Sequence, residues 1–132
     1  MNDLPTASIR LRLGQEDAHY GGNLVAGATQ LKIIGDLITE LAMRHDGDEG
    51  LFRAYESVEF LSPLYAGDWI EASGRVVGVG NTSRRCEFEI WKVGGALPDI
   101  SPSAAEFLKE PVLACKAVGT TVVLKPHQRF AH

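Results

Sequence analysis

The side chains able to carry chemistry fall into two groups. The first is the stretch EDAHYGGNLVAGA, residues 16–28, where Asp17, His19, Tyr20 and Asn23 surround the Gly21-Gly22 pair. Paired glycines weaken regular structure, so the stretch reads as a turn that delivers the start of a helix. Polar groups at a helix start either cap it or wall a site. The second group is acidic. Asp36 and Glu40 stand four apart in the apolar-periodic run that follows, hence on one helix face, and Glu59 sits in the largely apolar stretch SVEFL. Like charges at that spacing repel, so a helix that keeps them has a cation beside them or a use for them. Lys32, four residues before Asp36, supplies the plain alternative of a surface ion pair. Carboxylates whose pKa is raised by burial, and a loop histidine, are the groups that move protons near neutrality.

The elements that must position these groups are legible from periodicity. In ASIRLRL, Ile9, Leu11 and Leu13 alternate with Arg10 and Arg12, a half-buried strand. From Leu24 to Arg44 apolar residues recur at Leu24, Ala28, Leu31, Ile34, Ile38, Leu41 and Ala42, which is helical spacing. HDGDEG ends that helix, with Arg44 and His45 at its negative end and Gly47 or Gly50 for the turn. Strands follow at Leu51 to Leu61, in GDWIEASGRVVGVG, in TSRRCEFEIWKV and in PVLACKAVGTTVVLK. In the third of these, Arg85, Glu87 and Glu89 alternate with Cys86, Phe88 and Ile90, one wet face and one buried. Residues 94–110 read as a polar loop with a short helix at Ser103 to Leu108.

One long helix and five antiparallel strands predict an α+β fold, a single domain over residues 1–132 in which the sheet wraps the helix: the hotdog arrangement. Gly35 inside the helix fits if the helix lies tight against the sheet and a side chain would clash there. The sheet's open edge must be covered or paired, and pairing with a second copy predicts at least a homodimer, with sites where two copies meet.

Composition bounds the function. The chain has 132 residues, 45% of them hydrophobic, and a formal charge of −4 without a basic stripe, which argues against nucleic acid. No window approaches the roughly 20 apolar residues of a membrane span, and MNDLPTASIRLRL has no apolar signal core, so a cytoplasmic protein with no membrane partner is expected. Cys86 and Cys115 are too few for a disulfide framework and read as buried thiols. His45, His127 and His132 lack partner spacing, and no metal site is expected.

The segments DAHYGGNLVAGA, GDLITEL, HDGDEGLF, VEFLSPLYAGDWIE, VGNTSRRCEFEIWKV and EPVLACKAVGT together resemble the CoA-thioester ammonia lyases, hotdog proteins that act on 3-aminobutyryl-CoA or β-alanyl-CoA. The likeness runs from about residue 9 to residue 125, and HDGDEGLF, VGNTSR and DISPSAA favour the 3-aminobutyryl branch, an enzyme of lysine fermentation. More distantly, the Gly-Asn-Leu-Val turn resembles acyl-CoA thioesterases of the same fold.

That resemblance implies elimination of ammonia from a 3-aminoacyl-CoA, giving a 2-enoyl-CoA such as crotonyl-CoA, with CoA as part of the substrate and no separate cofactor. The reaction needs a polarised thioester carbonyl, a base for the α-proton, and acidic groups for the β-ammonium. Free N–H groups at a helix start carry about half a positive charge and suit the first need, with the amides of Val25, Ala26 and Gly27 as candidates beside Asn23, which otherwise caps the helix. Asp36 or Glu59 is the expected base. A neighbouring carboxylate, Glu40 among them, and Tyr20 hold the amine, and His19 is an orienting donor or an alternative base. Asp17 is expected to brace the loop through backbone bonds. Arg84, Arg85 and Lys116 are candidate cations for the CoA phosphates. Thioester hydrolysis on the same fold is the main alternative; hydration of the enoyl-CoA and non-catalytic acyl-CoA binding are others.

Overall fold

The structure, a computed structural model, describes residues 3–132; Met1 and Asn2, at the head of the stretch read as lacking a signal core, lie outside it. The alternating N-terminal segment forms β1 (Thr6–Arg12), with Arg10 and Arg12 exposed. The apolar-periodic run forms α1 (Gly27–Asp46), and the remaining strands are β2 (Leu51–Phe60), β3 (Trp69–Val79), β4 (Ser83–Ala96) and β5 (Ala105–Val122). They make one antiparallel sheet in the order β1-β3-β4-β5-β2, so β1 and β2 are its edges. One helix against a five-stranded antiparallel sheet is the expected hotdog architecture.

Helix and sheet bury each other's apolar phase. Ile33, Ile34, Leu37, Ile38 and Leu41 of α1 form one cluster with Ile70 and Ala72 of β3, Cys86, Phe88 and Ile90 of β4, and Cys115 and Ala117 of β5. The wet phase of the sheet points the other way. There Arg75 bonds Glu87 at 2.7 Å, and Arg85 holds Glu56 through two bonds of 2.7 and 3.0 Å. The helix ends at Gly47, whose positive φ of 68° lets its N–H return to the Met43 carbonyl at 2.9 Å.

Three expectations are corrected. The helix begins at Gly27, three residues after Leu24, because Leu24 and Val25 are spent on bridges to Tyr65 and Ala18. Residues 94–110 are not a loop with a helix: Gly94, Gly95 and Ala96 pair with Phe107, Glu106 and Ala105, so β4 and β5 run on as a hairpin closed by a turn. Gly35 does not relieve a clash, since a Cβ built there meets nothing within 4 Å. The close approach of helix to sheet is instead at Gly74 of β3, where a Cβ would lie 2.8 Å from the Phe88 ring and 3.3 Å from Leu41. Among the described residues, no helix is long and apolar enough to cross a membrane.

Candidate functional site

The residues of the opening loop converge on the start of α1. The loop is fixed by short bonds. The Asp17 carboxylate accepts from the Gly14 N–H at 2.8 Å, the brace expected of it. The His19 and Tyr20 amides both donate to the Leu24 carbonyl, at 3.1 and 3.2 Å, and the two rings meet edge to face with centroids 4.9 Å apart. Both side chains are exposed. Asn23 has a positive φ of 63°, a conformation asparagine tolerates better than most residues. Its carbonyl accepts from the Ala66 N–H at 3.0 Å, and its side-chain oxygen from Gln15 at 2.8 Å. Asn23 therefore does not cap α1, which starts four residues later behind Ala26 with no side-chain cap.

That missing cap matters chemically. The first N–H groups of a helix have no partner within the helix. The Val25 amide is not one of them, as it donates to the Leu64 carbonyl at 2.9 Å, so Val25 is corrected from donor to anchor. The amides of Ala26, Gly27 and Ala28 have no acceptor among the described residues. They form a small electropositive patch that an anionic oxygen can satisfy. The Phe60 ring of β2 lies over it: a Cβ on Gly27 would sit 2.8 Å from Phe60 Cζ, and Phe60 as a residue is 52% exposed.

The acidic candidates do not converge on this patch within one copy. Asp36 is exposed and pairs with Lys32 at 3.6 Å, the surface ion pair that the spacing allows. Glu40 bonds Arg44 at 2.8 Å. Glu59 is exposed rather than buried. It stands opposite Lys116, which stands opposite Glu89, in the wet phase of the sheet. Glu40, Glu59 and Lys116 do line one open depression, together with Arg75, Glu87 and Glu89, but Asp36, Asn23 and the Val25 to Gly27 amides are absent from it. The expected meeting of Asp36 and Glu59 in one cleft is thus corrected for a single copy.

The cation candidates separate as strand alternation dictates. Arg85 is exposed and engaged by Glu56. Arg84 points inward and is 1% exposed; its Nε and Nη2 donate to the two oxygens of the fully buried Asp46, each at 2.9 Å. Arg84 is therefore no phosphate ligand. Burial alone would raise the Asp46 pKa, but the Arg84 and His132 hydrogen bonds and the Arg84 charge hold it below the usual carboxylate value. His45, Asp46 and His132 bring potential metal-ligand atoms within 4.8 Å of one another. Both Asp46 oxygens are already bonded to Arg84, however, and that guanidinium opposes a second cation.

Several residues at the loop end of the sheet escape a reading by motif. Tyr65 bridges to Leu24, and its N–H donates to the buried Asp68 carboxylate at 2.8 Å. Lys92 pairs with Asp68 at 3.3 Å. Arg12 donates to the Gly67 carbonyl at 3.3 Å from an exposed position. Gln30 of α1 is 4% exposed on the apolar face. The signal for Gln30 lay in its phase: residues 30, 34, 37 and 41 share a stripe, and only Gln30 is polar.

Comparison with known proteins agrees with this architecture. Residues 22–98 match the thioesterase superfamily. The chain is 50% identical over 121 residues to a 3-aminobutyryl-CoA ammonia lyase of Acetoanaerobium sticklandii, which takes in 92% of this chain and 96% of that one. It is similar to the solved β-alanyl-CoA:ammonia lyase of Clostridium propionicum, with 38% identity, a TM-score of 0.92, and coverage of 97% of this chain and 91% of that one. A hexameric hotdog-fold thioesterase of Campylobacter jejuni shares the fold at 20% identity and a TM-score of 0.74, over 92% of this chain and 86% of that one.

Proposed function

The chain belongs to the 3-aminobutyryl-CoA ammonia lyase family, within the thioesterase superfamily, and from that premise we propose that it eliminates ammonia from 3-aminobutyryl-CoA to give crotonyl-CoA, reversibly. It is a carbon–nitrogen lyase acting on a CoA thioester. The observation that carries this reading is identity at half of the aligned positions along nearly the whole of both chains. Fold alone would serve thioester hydrolysis equally well.

In the elimination the α-carbon loses a proton to a base, the bond from the β-carbon to nitrogen breaks, and a double bond forms between the two carbons. The released amine leaves as ammonia. The thioester oxygen, which gains negative charge as the α-proton departs, lies against the free N–H groups of Ala26 and Gly27. His19 and Tyr20 line the approach and orient the substrate. CoA is part of the substrate, and the proposal uses no separate cofactor. Arg12, exposed beside Gly67, takes the place of Arg84 as a cation for the CoA phosphates.

The base is Asp36, supplied by a second copy. Asp36 lies nine residues beyond Gly27, about 14 Å along the same helix, too far to serve a thioester held at that helix's own start. An antiparallel second helix brings its Asp36 back to this level. A homo-oligomer is also supported by the edge strand β2, whose Leu51 and Phe60 are 75% and 52% exposed. The location proposed is the cytoplasm, in keeping with the free thiols of Cys86 and Cys115, which burial pushes up to about 12 and about 11.

The test is incubation of the purified protein with crotonyl-CoA and ammonium chloride. Loss of enoyl-thioester absorbance without release of free thiol is the expected result. Free thiol would make the protein a thioesterase and overturn the reading.

A further inference from the structure

Asp36, Glu40 and Glu59 of the same copy do not reach the helix start, and the nearby Asp17 and Asp68 carboxylates are engaged by the Gly14 and Tyr65 amides, so the β-ammonium of the substrate still needs a partner there. One group there is suited to it. Gln30 is 4% exposed, and its side-chain oxygen Oε1 has no hydrogen-bond partner among the described residues. Buried acceptors are nearly always satisfied, so one left open in the free protein calls for an explanation. Its place supplies one. Gln30 is the fourth residue of α1, and a helical side chain tilts toward the N-terminus and covers the turn before its own Cα. That turn carries the unpartnered amides of Ala26, Gly27 and Ala28.

We propose that Gln30 Oε1 accepts a hydrogen bond from the β-ammonium of the substrate and so selects a 3-aminoacyl thioester over an acyl or enoyl thioester of the same length. The inference rests on the ammonia-lyase reading above. The thioester carbonyl carbon and the β-nitrogen are separated by two carbons, a span shorter than the helical pitch of about 5.4 Å. A substrate whose carbonyl oxygen meets the first-turn amides therefore carries its amine to the level of the Gln30 side chain. The pairing of roles is chemical: helix N–H groups donate to the oxygen that becomes anionic, and a carbonyl oxygen accepts from the ammonium. A neutral acceptor holds the amine without fixing a permanent negative charge beside the forming enolate. Crotonyl-CoA offers no donor at its β-carbon and leaves Oε1 idle, so the contact forms only when nitrogen is present. A site built around such an acceptor rejects analogues that cannot satisfy it.

The experiment measures the addition direction, with crotonyl-CoA and ammonium chloride varied independently, in the wild type, Gln30→Met and Gln30→Leu. The expected result is an ammonium KM raised about ten- to hundredfold in both variants, from loss of one hydrogen bond to a charged group. The crotonyl-CoA KM is expected to stay within about twofold, since that substrate makes no such bond. Gln30→Glu, which keeps an acceptor, should retain an ammonium KM near that of the wild type. Both apolar variants remove an unsatisfied buried group, so their thermal midpoints should equal or exceed the wild type's. An unchanged ammonium KM, or a parallel rise in both KM values, overturns the proposal. So does failure of both apolar variants to fold, because an acceptor that only substrate satisfies does not hold the free protein together. A wild type that consumes no crotonyl-CoA with ammonium overturns the ammonia-lyase reading itself, and this inference with it.

Discussion

Arg84 grips Asp46 with two hydrogen bonds of 2.9 Å in a pair whose side chains are 1% and 0% exposed, tying the last turn of α1 to β4. Such a pair is costly to bury and costlier to break, because removal of one partner strands the other charge away from water. Asp46→Asn and Arg84→Gln are each expected to lower the unfolding free energy by about 3–5 kcal/mol, read from urea titration. Arg84→Met combined with Asp46→Leu should recover most of that loss. The pair lies at the far end of α1 from Gly27, so the folded variants should keep their KM for crotonyl-CoA.

His45 makes stability depend on pH between neutrality and mild acid. Its ring stacks on His132 with centroids 4.1 Å apart, and its Nε2 is buried without a partner among the described residues. Burial lowers its pKa below 6.5, with the charges of His132 and Arg84 acting in the same direction and Asp46 against them. The unfolded chain then takes up a proton that the folded one refuses, so the stabilisation is complete above pH 6.5 and declines as pH falls from there. Thermal midpoints should drop between pH 7 and pH 5, and His45→Phe, which keeps a stacking ring, should flatten that decline. Asp46, held below its ordinary value of 3.8, adds a separate loss only in stronger acid, as pH falls through its lowered pKa.

Gly35 interrupts an otherwise good helix with open space beside its Cα. Alanine there removes backbone freedom from the unfolded chain and meets no neighbour. Gly35→Ala should stabilise the protein by about 1 kcal/mol, visible as a higher urea midpoint at fixed protein concentration.

Strand phase is the most legible part of the sequence, and it reaches further than the alternation of apolar residues alone. Cys86, Phe88 and Ile90 mark the buried phase of β4, and Arg84 shares it, so its inward direction was readable two residues before Cys86. What could not be read was its partner: Asp46 is 38 residues away, and only the packing of helix end on strand brings the two together. Glu59 misled for a related reason. Its neighbours in SVEFL are mostly apolar, yet β2 is an edge strand with Glu59 in the wet phase opposite Lys116. Neighbours in sequence say nothing about which face a strand residue takes until one position of the register is known. The helix starts three residues later than its periodicity suggests because Leu24 and Val25 continue the apolar pattern while their backbone bonds go to a bridge and to Leu64.

The decisive test of the shared site separates its two halves. Ala26 has φ −70° and a free N–H, the geometry a proline adopts, so Ala26→Pro deletes a proposed oxyanion donor while the helix start keeps its shape. Loss of one such donor costs about 10²–10³ in rate. Asp36→Asn deletes the proposed base and removes only an exposed ion pair with Lys32, worth about 0.3–0.5 kcal/mol, so it too should fold normally. Glu59→Gln, in the wet phase of β2, should retain near wild-type turnover. If the thioester sits at the helix start of one copy and the base comes from another, each of the first two variants alone keeps at most about a hundredth of the wild-type rate. Unfolded together and refolded as a mixture, they form hybrids in which one composite site carries neither lesion, and part of the activity returns. Sites complete within one copy would give no recovery, whatever the mixing ratio. That result would remove Asp36 of a second copy from the mechanism and leave His19 as the remaining candidate base at the loop.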